Sequence, residues 1–178
     1  MEIRPRLRQF LGHSEGSATI EFALIFPVFI MIWLASFELG MLQLRHTMLE
    51  RGLDLAIREV RISTVGPPSY ENIRESICTN SLILSDCDQH LKLEMMRMPP
   101  NVSLTGMAEA DCIDRSEEVA PVREWTYGQS GDLMLVRACF LFDPFFPTTG
   151  IGYELAEAFD NGGSYALTAM TAFVSEPE

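Results

Sequence analysis

Gly16-Ser17-Ala18-Thr19-Ile20-Glu21-Phe22-Ala23-Leu24-Ile25-Phe26-Pro27 decides how the rest of the chain is read. A glycine precedes small and polar residues, then one carboxylate, then an apolar run without a charge from Phe22 to Phe37. Glu38 interrupts the run, which resumes through Leu44. As a helix, residues 22–44 would be about 35 Å long. That length crosses a hydrocarbon core of roughly 30 Å with some tilt. Glu38 lies past the midpoint, where it costs less than the roughly 3 kcal/mol of a charge at the bilayer centre. Glu38 is read either as an interfacial residue or as a contact for a partner helix.

Upstream, Arg4, Arg6 and Arg8 face only Glu2 and Glu15. The positive-inside rule keeps this end in the cytoplasm and sends everything after Leu44 across. No small-x-small pair closes the apolar run, so it reads as a retained anchor rather than an ordinary cleaved secretory signal. Beyond the membrane the helix continues. Met48, Leu49, Gly52, Leu53, Ala56, Ile57 and Val60 share one arc at 100° per residue, with Glu50, Arg51, Asp54, Arg58 and Arg61 opposite. One helix from about Thr19 to Ile62 is expected, with Pro27 bending or loosening one turn. Its outer half needs a domain to pack against.

That domain is acidic. Residues 1–62 carry seven acids and seven Lys/Arg, whereas residues 63–178 carry eighteen acids and six Lys/Arg. Nucleic-acid binding is disfavoured, since phosphate contact needs basic patches. All four cysteines, Cys78, Cys87, Cys112 and Cys139, fall on the translocated side. An even count in an oxidising compartment points to two disulfides. Three pairings are possible, and Cys78–Cys87 with Cys112–Cys139 is favoured because a short local loop closes readily. Without a CxxC pair, zinc is the weaker reading.

A short helix is expected over Tyr70–Leu84, strands over His90–Arg97, Asn101–Thr105, Leu133–Phe142 and Ser164–Val174, and a loop over Met107–Val119. Asp160-Asn161-Gly162-Gly163 marks a turn. Phe140, Phe142, Phe145 and Phe146 read as core plus a covered loop rather than a partner surface. The fold class is α+β, a long N-terminal helix packed on a small antiparallel sheet.

The run from Gly16 to Phe22, with the apolar helix behind it, resembles the N-terminus of TadE-like proteins, pilin-like minor components of the tight-adherence (Flp) pilus machinery. The likeness covers roughly residues 12–62. It implies a cytoplasmic leader over 1–16, a pilin-like helix over 17–62 and a periplasmic disulfide-containing domain over 63–178. It also implies cleavage between Gly16 and Ser17 by a prepilin peptidase at the bacterial inner membrane. Glu21, the fifth residue of the processed chain, would pair with a neighbouring subunit's terminal amine, with Phe22 beside it in the recognition segment. The implied partners are that peptidase, other pilin-like subunits and the inner-membrane assembly platform. No cofactor, metal or catalysis is implied. Ser17, where type IV pilins usually carry phenylalanine, favours the Flp/TadE branch, and the DxSxS motif frequent in TadG-like relatives is missing.

The competing readings come from other classes. Glu21 at a helix start also suits the helix dipole, and Gly16 also suits a simple break. An uncleaved, signal-anchored periplasmic binding or adaptor domain is the alternative function. Asp86-x-Asp88-x-His90 offers three ligand types without a supporting metal motif. Gly128-Gln129-Ser130-Gly131 lacks nucleophile-elbow spacing and reads as a turn.

Overall fold

The computed structural model describes residues 17–62, 69–98, 112, 125–148, 150–157 and 163–175. Its dominant element is one helix, α1 (Ser17–Ile62), continuous through Pro27. Two hydroxyls inside it bond back to the preceding turn, Ser36 to the Ile32 carbonyl and Thr47 to the Gln43 carbonyl. Neither needs water, so the apolar stretch is not interrupted at Ser36.

A second helix, α2 (Tyr70–Asn80), follows. Ser69 caps it by accepting the Asn72 N–H at 3.2 Å. It ends four residues before the expected Leu84, because Ser81 turns away to α1 and donates its hydroxyl to the Met48 carbonyl at 2.9 Å. A single turn, α3 (Cys87–His90), leads into β1 (Leu91–Arg97), then come β2 (Leu133–Phe142), α4 (Gly150–Glu157) and β3 (Tyr165–Val174). The strands form an antiparallel sheet in the order β1-β2-β3. Leu93 sits opposite Ala138, which sits opposite Ala169.

The expected strands over 90–97, 133–142 and 164–174 are thus present, with the first and third starting one residue later. The expected strand over 101–105 and most of the loop over 107–119 lie outside the described residues. Helix α4 was not foreseen.

One face of the sheet forms the core with the outer half of α1 and with α2. Leu49, Leu53, Ala56 and Ile57 of α1 and Ile73 and Ile77 of α2 meet Leu93, Met95, Val136, Phe140 and Leu167. These are the positions that the 100° arc assigned to the packed side of α1. Gly52 lies where α1 and α2 touch. A methyl group there would run into Ser81 Oγ and approach the Ile77 carbonyl oxygen at 3.0 Å. The opposite face of β2 is buried as well, at Leu135, Arg137, Cys139 and Leu141. Arg137 pairs there with Glu94 across the strands at 2.6 Å.

Candidate functional site

Helix α1 has two surfaces in series. From Met48 onward its apolar arc is covered by the sheet and α2. From Ala18 to Phe37 its large apolar side chains lie open, with Phe22 63% and Trp33 57% exposed. The helix is long and apolar enough to cross a membrane. An apolar surface of this extent calls for lipid or other apolar helices around it.

The residues singled out in the sequence lie at one end of that open surface. Gly16 is outside the described residues. Ser17 opens α1, and Glu21 stands one turn further along, exposed. The Phe22 ring stacks on Phe26 with centroids 4.9 Å apart.

At the other end of the open surface, Glu38 is 2% exposed. Its partner is the loop after β2. The Phe145 N–H donates to Oε1 and Oε2 at 3.0 and 3.1 Å, and the Phe146 N–H donates to Oε2 at 3.2 Å. Charge-assisted bonds to two backbone donors offset the cost of burying the carboxylate. Glu38 therefore bonds within its own chain. The Phe37 ring meets Phe145 and Phe146 edge-on, at 5.6 and 6.0 Å.

Two helical turns beyond Glu38, Arg45 lies over the rings of Phe142 and Phe145, 4.3 and 4.7 Å from their centroids. Burial lowers its pKa, and the fields of Tyr165, Glu38 and Asp143 act the other way. Tyr165 packs its ring on Phe142 at 3.8 Å. Burial pushes its phenol well above the ordinary range, against a smaller opposing effect of Arg45. Next to Arg45 in the chain, His46 Nε2 lies 3.2 Å from the Thr168 carbonyl oxygen and joins α1 to β3.

Sequence reasoning left Glu38 undecided and did not single out Arg45. Their spacing of seven, two turns along one face, was the available signal. Phe140 and Phe142 are core residues as expected, but Phe145 remains 46% exposed on the loop.

The four cysteines play structural parts. Cys78 is bonded to Cys87 and Cys112 to Cys139, with Cα separations of 5.6 and 5.3 Å. The first bond ties α2 to α3, and the second fixes Cys112 to the outer face of β2. Asp86 adopts a left-handed conformation with φ 51° just before α3, while Asp88 and His90 belong to that turn. Among the described residues no group of three or more His, Cys, Asp or Glu is arranged to hold a metal ion. Gly131 takes a positive φ of 86° next to β2, in keeping with the turn read over residues 128–131.

The family described as TadE-like protein matches residues 16–58. No curated protein and no solved structure matches the chain. The similarity to that family is confined to residues 16–58, which lie almost wholly within α1.

Proposed function

We propose, taking the TadE-like helix as premise, that this chain is a minor-pilin-like component that assists assembly of a tight-adherence pilus. The observation that carries the reading is the match over residues 16–58. It begins at the glycine of the proposed cleavage point and runs through the open surface of α1 into its packed half. In this reading residues 1–16 are a cytoplasmic leader removed by a prepilin peptidase. The apolar part of α1 crosses the inner membrane, and residues 63–178 form a periplasmic domain whose disulfides suit that compartment.

Cleavage after Gly16 turns Ser17 into a free amine, four residues or about 6 Å of helix rise before Glu21. A neighbouring subunit set one turn along the helix brings its amine to this carboxylate. The pair carries no net charge, which lowers the cost of holding either group among apolar helices. The exposed rings and aliphatic side chains around it supply the packing. The chain acts as a substrate of the peptidase and a component of the machine, with pilin-like subunits and the assembly platform as partners and no catalysis of its own.

The test is the N-terminal mass of the membrane-extracted protein, with and without the prepilin peptidase, alongside Gly16→Leu. A chain starting at Ser17, lost in both controls, is the expected result. A chain that always keeps Met1 or Glu2 would overturn it and leave a signal-anchored periplasmic adaptor as the better account.

A further inference from the structure

We propose that the Phe145-Phe146 loop of the head, the sheet and short helices packed on the outer half of α1, is a second membrane contact, seated in the lipid interface where α1 leaves the bilayer. The proposal rests on α1 being the membrane span of the preceding section. It places the exit at Phe37–Glu38 rather than at Leu44.

Length is the first argument. Ala18–Phe37 has 20 residues and rises about 30 Å, which matches the hydrocarbon thickness without the later turns. The next residue, Glu38, is already occupied by the head. A head bonded at Glu38 cannot stand clear of a bilayer that extends to Leu44.

Continuity is the second. Trp33 stacks near Phe37 with centroids 6.3 Å apart, and Phe37 meets Phe145 and Phe146. Trp33, Phe37 and Phe145 are each at least 40% exposed. The aromatic surface therefore passes from the helix onto the loop without a polar break. Aromatic side chains at this level suit the headgroup boundary.

Backbone satisfaction is the third. Loop backbone entering a low-dielectric layer is costly when its N–H groups have no acceptor. Both the Phe145 and Phe146 donors end on Glu38. Charge selects the kind of lipid contact. Residues 63–178 carry the whole net charge of −12, so anionic headgroups repel the head. Apolar ring insertion is the attraction left, and zwitterionic lipid suffices for it.

The test uses the full chain in phosphatidylcholine vesicles. A variant carrying Phe145→Trp with Trp33→Phe and Trp125→Phe reports on the loop, and Trp125→Phe alone leaves Trp33 to report on the span. Lipids spin-labelled near the headgroup or mid-chain serve as quenchers, with iodide as the aqueous one. The indole at position 145 should be quenched best by the headgroup-level label and lose its iodide quenching on reconstitution. Trp33 should respond more to the deeper label. Iodide quenching at position 145 with no lipid quenching, while Trp33 stays deep, would overturn the loop contact alone. A Trp33 untouched by either lipid label would overturn the membrane span itself.

Photoreactive phosphatidylcholine applied to the unmodified chain keeps the question open to refutation if the Trp variant fails to fold. Adducts should form at Phe145–Pro147 and be absent at Leu82. Leu82 is 89% exposed but follows Ser81, which bonds Met48, about 15 Å beyond Glu38 along α1. Equal labelling of the two segments, or none at Phe145–Pro147, would refute the proposal.

Discussion

Replacing Glu38 with leucine sets two opposing effects against each other, and their sizes can be worked out. The carboxylate holds two backbone donors, at Phe145 and Phe146. A hydrogen bond to a charged group contributes about 1.5–3 kcal/mol, so the pair is worth about 3–6 if both donors stay dry after the change. Phe145 is half exposed and water can reach part of the loop, which reduces the loss to about 3 kcal/mol. In the other direction, an acid-to-leucine change at the bilayer centre gains about 3 kcal/mol or more on insertion scales. At the interface that gain falls below about 1 kcal/mol. The net expectation is a destabilisation of about 2 kcal/mol, or roughly 30-fold at 1.36 kcal/mol per decade. Hydrogen exchange of the Phe145 and Phe146 amides in lipid nanodiscs reads it directly. Both should exchange about 30-fold faster in Glu38→Leu, while amides inside β2 keep their protection. Glu38→Gln keeps one acceptor oxygen and should fall between. Unchanged or slower exchange at Phe145 and Phe146 in Glu38→Leu would refute the reasoning, because Glu38 would then lie deep in lipid or hold the loop only weakly.

Gly52→Ala drives a methyl group into Ser81 Oγ and should cost about 1–3 kcal/mol by denaturant titration. Adding Ser81→Ala removes the colliding atom, so the double variant should lose less than the sum of the singles. Glu94→Ala removes the carboxylate 2.6 Å from the buried Arg137 guanidinium and should cost about 3 kcal/mol, whereas Glu94→Leu with Arg137→Met should recover most of it. Tyr165 has a phenol raised by burial, so the folded state holds its proton more tightly than the unfolded chain. Its contribution is complete below about pH 10 and declines as pH rises beyond it, where the unfolded chain ionises first. Tyr165→Phe should flatten the stability loss above that pH, and an unaltered alkaline limb would count against burial of the phenol.

Legibility in the sequence followed periodicity. The arc Leu49, Leu53, Ala56 and Ile57 reads as the packed side of a helix because burial on a helix must repeat every three or four residues. Leu133–Phe142 reads as a strand because its β-forming residues have no breaker among them. Helix α4 was hidden because Gly150-Ile151-Gly152 carries turn residues. Gly152 is there for a contact outside the helix, since a methyl group would collide with the Phe146 carbonyl oxygen. The bond from Glu38 to Phe145 joins residues 107 apart, and nothing local marks a carboxylate that will accept two distant amides. The sequence shows Glu38 interrupting an apolar run, without showing that the same chain would satisfy it.

That bond also fixes how the head sits around α1. Glu21 and Glu38 are seventeen residues apart, which at 100° per residue leaves them about 100° apart around the axis. The head grips the Glu38 side through Phe145, Phe146 and the rings beneath Arg45. The Glu21 side is thereby turned away from the chain's own head. Under the proposed pairing, a neighbouring amine must reach Glu21 along that side. A leucine at position 38 would leave the loop held on this side of α1 by the Phe37 ring and Arg45 alone, with a looser angle about α1. A buried carboxylate at the change from the open to the head-covered part of α1 is tolerable because its two donors come from the loop whose position it sets.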